Sequence, residues 1–209
     1  LAFSGSANLL AAGNGENGTL LLDPGNIEIT NGGAQEDLTA SLITRGQINT
    51  QLGLGHVVIA TTGADATQDG NILISDQVDY NRANNLALLA TGDITFRSDD
   101  GTNVRFRNQG AGDLTFVAGW DGVTGAPSAA NNVNANGMFR PENPGAALFE
   151  ANAASYGNAG AIGSTGSIIV DNNTAGGDER IIIGTRNGTT SMFGKDMNLI
   201  GGAGSRGGF

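Results

Sequence analysis

Acidic side chains in glycine-containing turns are the first candidates for chemistry in this sequence. Two stretches, SDDGTN at 98–103 and DNNTAGGDE at 171–179, concentrate oxygen ligands of the kind that bind Ca²⁺. Neither stretch matches an EF-hand loop or a calcium-binding nonapeptide repeat, and Asp and Asn also form ordinary turns. The sequence therefore predicts at most a weak calcium site and no other cofactor. Its candidate ligands are Asp99, Asp100, Asp171 and Asp178.

Catalytic chemistry has few candidates. The only histidine, His56, opens the apolar run HVVIA, where a structural or solvated role is the favoured interpretation. The acidic pairs Asp99-Asp100 and Asp178-Glu179 are adjacent, and neighbouring residues on a strand point to opposite faces, so these pairs are better read as solvated corners. We therefore expect that the chain is not an enzyme, with a polysaccharide-degrading activity as the alternative.

Trp120 is the one residue suited to stacking on a sugar ring. It lies in AGWDG, directly after the apolar run LTFVA, and could either present its ring to a ligand or pack beside a corner. Packing is the favoured interpretation. Ligand stacking at Trp120 stays as the alternative.

Composition and charge limit the classes of partner that this chain is expected to bind. The 209 residues carry a formal net charge of −10 and include one lysine, Lys195, so a phosphate-binding surface is not expected and nucleic acid is a poor partner. The absence of cysteine excludes disulfides and thiolate metal sites. No apolar run approaches the length of a membrane-spanning helix, so no membrane span is predicted.

The elements that must position these residues are many short strands. In the stretch GTLLLDPGNIEIT, two aliphatic runs flank a Pro-Gly corner, and 35 glycines in the whole chain indicate frequent tight turns. Apolar residues alternate with polar ones in the strands around Phe96, Phe106 and Phe116, which recur every ten residues. Similar bends lead straight into strands at Gly25-Asn26, Gly70-Asn71, Gly92-Asp93 and Gly112-Asp113.

Two architectures accommodate such strands, an antiparallel sandwich and a solenoid, and the Gly-Asn and Gly-Asp bends favour the solenoid. In a solenoid, inward residues of equivalent strands stack from one coil to the next and form a continuous apolar column. The spacing of Leu38, Leu42, Ile48 and Leu52 predicts a short helix near 45–53, and the proline-containing stretch 123–160 predicts a long loop. Strands are predicted to resume at 167–171, 180–184 and 197–201.

The order of these motifs carries a family resemblance. TLLLDPGNIEIT, QINTQLGLG, HVVIATTG, GNILISDQV, NNLALLATGDITF and GDLTFVAGW resemble, in that order, the filamentous-haemagglutinin-type repeat region of large bacterial exoproteins and adhesins. The resemblance covers about 18–120, with an echo at 182–202. It implies a right-handed parallel β-helix that is exported by two-partner secretion and forms part of a cell-surface fibre.

The sequence is therefore interpreted as one all-β unit, a right-handed parallel β-helix over 1–209 that is a fragment of a larger exported protein, with its clearest repeats at 18–120 and further coils at 167–202. Its expected function is structural and adhesive, at the bacterial cell surface. The expected partners are a host or neighbouring cell surface with its glycans, and an outer-membrane transporter during export. A β-helical polysaccharide-degrading enzyme or phage tailspike, and a filament subunit that associates end to end, are the alternatives.

Overall fold

The computed structural model describes residues 5–32, 35, 37, 39–61, 68–97, 104–120, 168–172, 181–188, 190–193 and 197–201. Within these residues the chain forms fourteen strands and one helix. The elements in chain order are β1 (Thr19–Leu22), β2 (Ile27–Thr30), β3 (Ser41–Thr44), α1 (Arg45–Gln51), β4 (His56–Thr61), β5 (Ile72–Ile74), β6 (Val78–Tyr80), β7 (Leu86–Ala90), β8 (Ile94–Arg97), β9 (Val104–Asn108), β10 (Leu114–Ala118), β11 (Ile168–Asn172), β12 (Ile181–Thr185), β13 (Thr190–Phe193) and β14 (Met197–Gly201).

The strands belong to three sheets, and every pairing in the described part of the chain is parallel. The first sheet has the order β1-β4-β7-β10-β13, the second β14-β11-β8-β5-β2-β3, and the third β12-β9-β6. Parallel pairing excludes the antiparallel sandwich for these strands. It also brings together residues that are far apart in sequence, because parallel strands need long connections.

The prediction of a right-handed parallel β-helix is wrong. The strands form three separate small sheets and one helix, and the described residues contain no closed solenoid. The interval between strand partners also varies widely: Ile27 pairs with Ser41, 14 residues further on, and Val104 pairs with Ile181, 77 residues further on. The short apolar runs determine where strands form, but the pairing depends on long-range contacts that such runs do not encode.

The local predictions for strands and bends are confirmed. The four bends at Gly25-Asn26, Gly70-Asn71, Gly92-Asp93 and Gly112-Asp113 directly precede β2, β5, β8 and β10. Asn side chains satisfy the backbone there: Asn26 Oδ1 accepts hydrogen bonds from the N–H groups of Gly70 and Asn71, both at 2.9 Å. Asn71 Oδ1 in turn accepts the N–H of Asp93 at 2.8 Å. The bends at Gly70-Asn71 and Gly92-Asp93 are therefore each held by an amide side chain from another of these bends.

Helix α1 is also confirmed, two residues shorter than predicted. Thr44 is its N-cap, and its hydroxyl accepts the N–H of Gln47 at 3.2 Å while Gln47 Oε1 accepts the N–H of Thr44 at 2.7 Å. This reciprocal arrangement is a capping box. Ile48 and Leu52 are fully buried, so the helix is stabilised by the core. The predicted loop at 123–160 lies outside the described residues.

The core lies where the three sheets meet. Phe96, Phe106 and Phe116 come from the second, third and first sheet and are fully buried. Their ring centroids are 5.4 to 5.9 Å apart in edge-to-face geometry, and Tyr80 adds a fourth ring 6.3 Å from Phe106. Edge-to-face packing places the positive ring edge against the negative ring face, so these rings fix the relative position of the sheets.

Candidate functional site

A row of polar residues crosses the first sheet where its strands begin. Register places Thr19 beside His56. Asn85 and Asp113 continue the row by hydrogen bonds: the N–H of Asn85 donates to His56 Nδ1 at 3.0 Å, and the N–H of Asp113 donates to Asn85 Oδ1 at 2.8 Å. The backbone fixes this row: the N–H of Val57, which follows His56, donates to Asn85 O at 3.0 Å. The polar row is therefore held by the same ladder that holds the apolar strands.

His56 is neutral in this row. Its Nδ1 accepts the backbone N–H of Asn85 at 3.0 Å, so the proton of the neutral ring is on Nε2. His56 is 7% exposed. Burial lowers the pKa of His56 below its ordinary value, and the negative charge of Asp113 opposes this shift without reversing it. A neutral imidazole with an Nε2–H group is a hydrogen-bond donor rather than a cation.

The polar row opens into a cleft of about 390 Å³. This volume lies within the range of clefts that bind small molecules. Five polar side chains line the cleft: Glu16, Asn17, His56, Asn85 and Asp113. Together they supply carboxylate oxygens, amide groups and an imidazole N–H.

Three small residues also line the cleft: Gly15, Ala83 and Ala111. Ala83 and Ala111 are exposed at the surface. Small side chains leave room over the polar row, so the cleft exists because these positions carry no bulk. A larger side chain at either alanine would occupy it.

A chain of side-chain amides holds the segment that carries Glu16. Asn17 Oδ1 accepts the N–H of Ala11 at 3.0 Å, and Asn17 Nδ2 donates to Asn84 Oδ1 at 2.9 Å. Asn84 Nδ2 then donates to Leu52 O at 2.8 Å, next to the end of α1. The segment GNGENG at 13–18 is thus tied to the body of the protein, and it forms one wall of the cleft.

Asn108 holds the opposite wall. It is fully buried at the end of β9, and its Oδ1 accepts the N–H groups of Arg82 at 3.0 Å and Gly110 at 2.9 Å. Its Nδ2 donates to the carbonyl oxygens of Arg82 and Gly112, both at 2.9 Å. All four hydrogen-bonding positions of the amide are used. Asn108 thereby fixes the two bends that carry Ala83 and Ala111.

The predicted calcium ligands do not meet in the described part of the chain. Asp99, Asp100 and Asp178 lie outside the described residues. Asp171 lies in β11, where its backbone is in register with Arg97 on one side and Ile200 on the other. Among the described residues, no group of three or more His, Asp or Glu could hold a metal ion. Calcium binding at these four residues stays a prediction.

Trp120 is 3% exposed. It packs in a second apolar cluster on the first sheet with Val58, Ala60, Ala87, Leu89 and Val117. Stacking on a sugar needs an accessible ring face, so this burial favours the packing interpretation of the sequence over ligand stacking.

Sequence reasoning missed the cleft. It interpreted His56 as structural or solvated, which describes its Nδ1 contact but not its place in the lining. A signal was present: His56, Asn85 and Asp113 each stand directly before an apolar run, at intervals of 29 and 28 residues. A polar residue repeated at nearly the same interval as the apolar runs predicts a polar row beside the strands.

In the part of the chain that the structure describes, no helix is long and apolar enough to cross a lipid bilayer. Comparison of the chain with protein-family models, with curated proteins and with solved structures finds no match.

Proposed function

We propose that this chain is an adhesive segment of an exported bacterial surface protein and that the cleft around His56 binds saccharides. The motif order described above, which resembles the repeat region of filamentous-haemagglutinin-type exoproteins, supports the adhesive part. The single observation that supports saccharide binding is the polar row of Thr19, His56, Asn85 and Asp113, fixed in register beside a cleft of about 390 Å³.

The cleft chemistry suits a polyol. Each sugar hydroxyl both donates and accepts a hydrogen bond, and the cleft offers acceptors on Glu16 and Asp113 together with a donor on His56. The backbone segments that carry these side chains are held by the sheet and by the amide contacts of Asn17 and Asn108, so little backbone freedom is lost on binding. A preorganised polar cleft without a deep apolar pocket is expected to bind each sugar weakly.

Weak individual contacts are compatible with adhesion, because several linked sites that engage one surface together bind far more tightly than each does alone. The partners in this proposal are glycans of a host or neighbouring cell, with an outer-membrane transporter acting during export. The resemblance supports an extracellular location at the bacterial surface. End-to-end association into a filament is an additional route to multivalency.

One observation favours a second function. Glu16 and Asp113 line the same cleft, and a pair of carboxylates flanking a glycosidic bond is the machinery of glycoside hydrolysis. In that alternative the protein degrades a polysaccharide, with one carboxylate as general acid and the other as nucleophile or base.

A glycan array followed by titration calorimetry tests the proposal. Wild-type protein is expected to bind a subset of glycans, and Ala111→Trp is expected to abolish this binding because the indole fills the cleft. Gln109→Trp is the matched control, since Gln109 is exposed two positions away and does not line the cleft. The proposal is wrong if wild type binds no glycan, or if Ala111→Trp and Gln109→Trp bind equally well.

The same glycans assayed for release of reducing ends separate the two functions. Binding without turnover supports the adhesive segment. Turnover that Asp113→Asn abolishes supports the hydrolase and overturns the adhesive proposal.

A further inference from the structure

The charged side chains that line the cleft are acidic. In the part of the chain that the structure describes, its lining contains two carboxylate residues, Glu16 and Asp113, and neither Lys nor Arg. His56 does not compensate them, because its ring is neutral while Nδ1 accepts the N–H of Asn85. Walls of one charge sign concentrate the field inside a cleft, so this cleft attracts cations and repels anions.

The two described arginines of the third sheet are engaged elsewhere. Arg105 and Arg107, on the third sheet, both form ion pairs with Asp79. None of these three residues lines the cleft. They therefore do not offer the cleft an anion-binding wall.

We propose that the cleft selects saccharides that carry a free, protonated amino group, that is, de-acetylated hexosamines. This inference rests on the proposed saccharide-binding function and names the ligand class of that site. The ammonium lies between the carboxylates of Glu16 and Asp113, and the Nε2–H group of His56 donates to a neighbouring sugar hydroxyl. A charged hydrogen bond to a carboxylate is about twice as strong as a neutral one, so the amino group dominates selection among sugars of equal size.

Three related ligands are disfavoured for different reasons. An N-acetylated hexosamine keeps its hydroxyls but loses the positive charge. A neutral hexose also keeps its hydroxyls and lacks the amine. A uronic acid places a carboxylate against two carboxylates, which is repulsive at contact distance.

The test measures binding of four oligosaccharides that share length and linkage: oligomers of glucosamine, N-acetylglucosamine, glucose and glucuronate. Calorimetry is run at a pH at which the glucosamine amine is protonated, at low salt and again at 0.5 M NaCl. We expect the glucosamine oligomer to bind about tenfold more tightly than the glucose oligomer, since one charge-assisted contact accounts for about one decade of affinity. We expect added salt to reduce this advantage, because counterions screen exposed charges.

Charge-neutralising variants locate the effect. Glu16→Gln and Asp113→Asn are each expected to reduce the preference for glucosamine over glucose to about threefold or less, because each removes one of the two carboxylates that face the ammonium. Asp69→Asn is the matched control, because Asp69 is an exposed acid outside the cleft. It removes the same charge from the protein and is expected to leave the preference unchanged.

The outcomes separate this inference from the function on which it rests. Equal or tighter binding of the glucose, N-acetylglucosamine or glucuronate oligomer overturns the amine selectivity and leaves saccharide binding intact. A loss of preference in Asp69→Asn that equals the loss in Glu16→Gln also overturns it, since the effect would then come from net charge. Binding of none of the four oligomers by wild type, together with an empty glycan array, overturns both.

Discussion

Asn108 offers the sharpest test of how the cleft walls are held. Replacing it with alanine removes the acceptor of the Arg82 and Gly110 N–H groups. The carbonyl oxygens of Arg82 and Gly112 each keep another donor, the Gly112 N–H at 3.0 Å and the Thr185 hydroxyl at 2.9 Å. Two N–H groups left without their acceptor cost about 1 kcal/mol each, and two lost bonds at satisfied carbonyls cost about 0.5 kcal/mol each. We therefore expect Asn108→Ala to lower the free energy of unfolding by about 3 kcal/mol.

An isosteric change separates hydrogen bonding from packing. Asn108→Asp keeps the shape and the two acceptor bonds, but it places a carboxylate oxygen against the carbonyl oxygens of Arg82 and Gly112. Protonation restores one donor, so the pKa of the introduced carboxyl is raised in the folded state. The variant is then most stable, relative to wild type, below the unfolded pKa of about 3.9, and it loses that stability as the pH rises through the raised folded value.

Urea unfolding followed by Trp120 fluorescence and by circular dichroism measures both variants at pH 7 and pH 4. Asn8→Ala is the control, because Asn8 is exposed and its side chain accepts a single N–H, that of Leu10, at 3.1 Å. We expect this control to change the free energy of unfolding by less than about 0.5 kcal/mol. A loss below about 1 kcal/mol for Asn108→Ala would refute the reasoning, as would an Asn108→Asp variant whose deficit against wild type does not shrink at pH 4.

Three further predictions concern the cleft and the core. Protonation of His56 is disfavoured in the folded state, so its contribution to the free energy of unfolding is fully present above the unfolded pKa of about 6.5. This contribution falls as the pH drops below that value toward the lower folded pKa. Urea midpoints measured from pH 5 to 8 should show this decrease in wild type and lack it in His56→Asn. Gly112→Ala would place a Cβ 2.1 Å from the backbone oxygen of Asn84 and should lower the free energy of unfolding by about 3 kcal/mol. Gly13→Ala should lower it by about 1 kcal/mol, because the space there is open and only the positive φ of 67° is strained. Thermal or urea melts that give equal losses for the two variants would contradict this prediction. Phe106 contacts three other rings edge to face, so Phe106→Leu should cost about 2 kcal/mol in urea melts, and a loss below about 0.5 kcal/mol would show that ring geometry contributes little.

Local features of the fold could be predicted because they depend on residues close in sequence. The bend at Gly92-Asp93 precedes β8, and the alternation of Ile94 and Phe96 correctly indicates the side of that strand that faces the core. Helix α1 was predicted from the spacing of its buried residues. Each of these features follows from turn chemistry or from side-chain periodicity, which operate over a few residues.

The prediction of a β-helix was wrong because the sequence does not specify which strands pair. A run such as SLIT at β3 is equally suited to several neighbours, and it pairs with β2, the strand immediately before it in the chain. Backbone hydrogen bonds are the same for every candidate partner, so the choice depends on the packing of the whole core. The cleft was not predicted for the same reason, since Glu16 and Asp113 line one cleft although they are almost a hundred residues apart in sequence.

Short strands, with apolar side chains on alternate positions and with Gly, Asn and Asp at the bends, could be read from the amino-acid sequence alone. The same sequence also sets the acidic charge that underlies the preference proposed for the cleft. The packed fold was needed to show that Phe96, Phe106 and Phe116 meet in one core, and that a neutral His56 lines the same cleft as Glu16 and Asp113. Turn and strand preferences act between residues that are neighbours in sequence. Register and burial arise from contacts that form only when distant segments pack together.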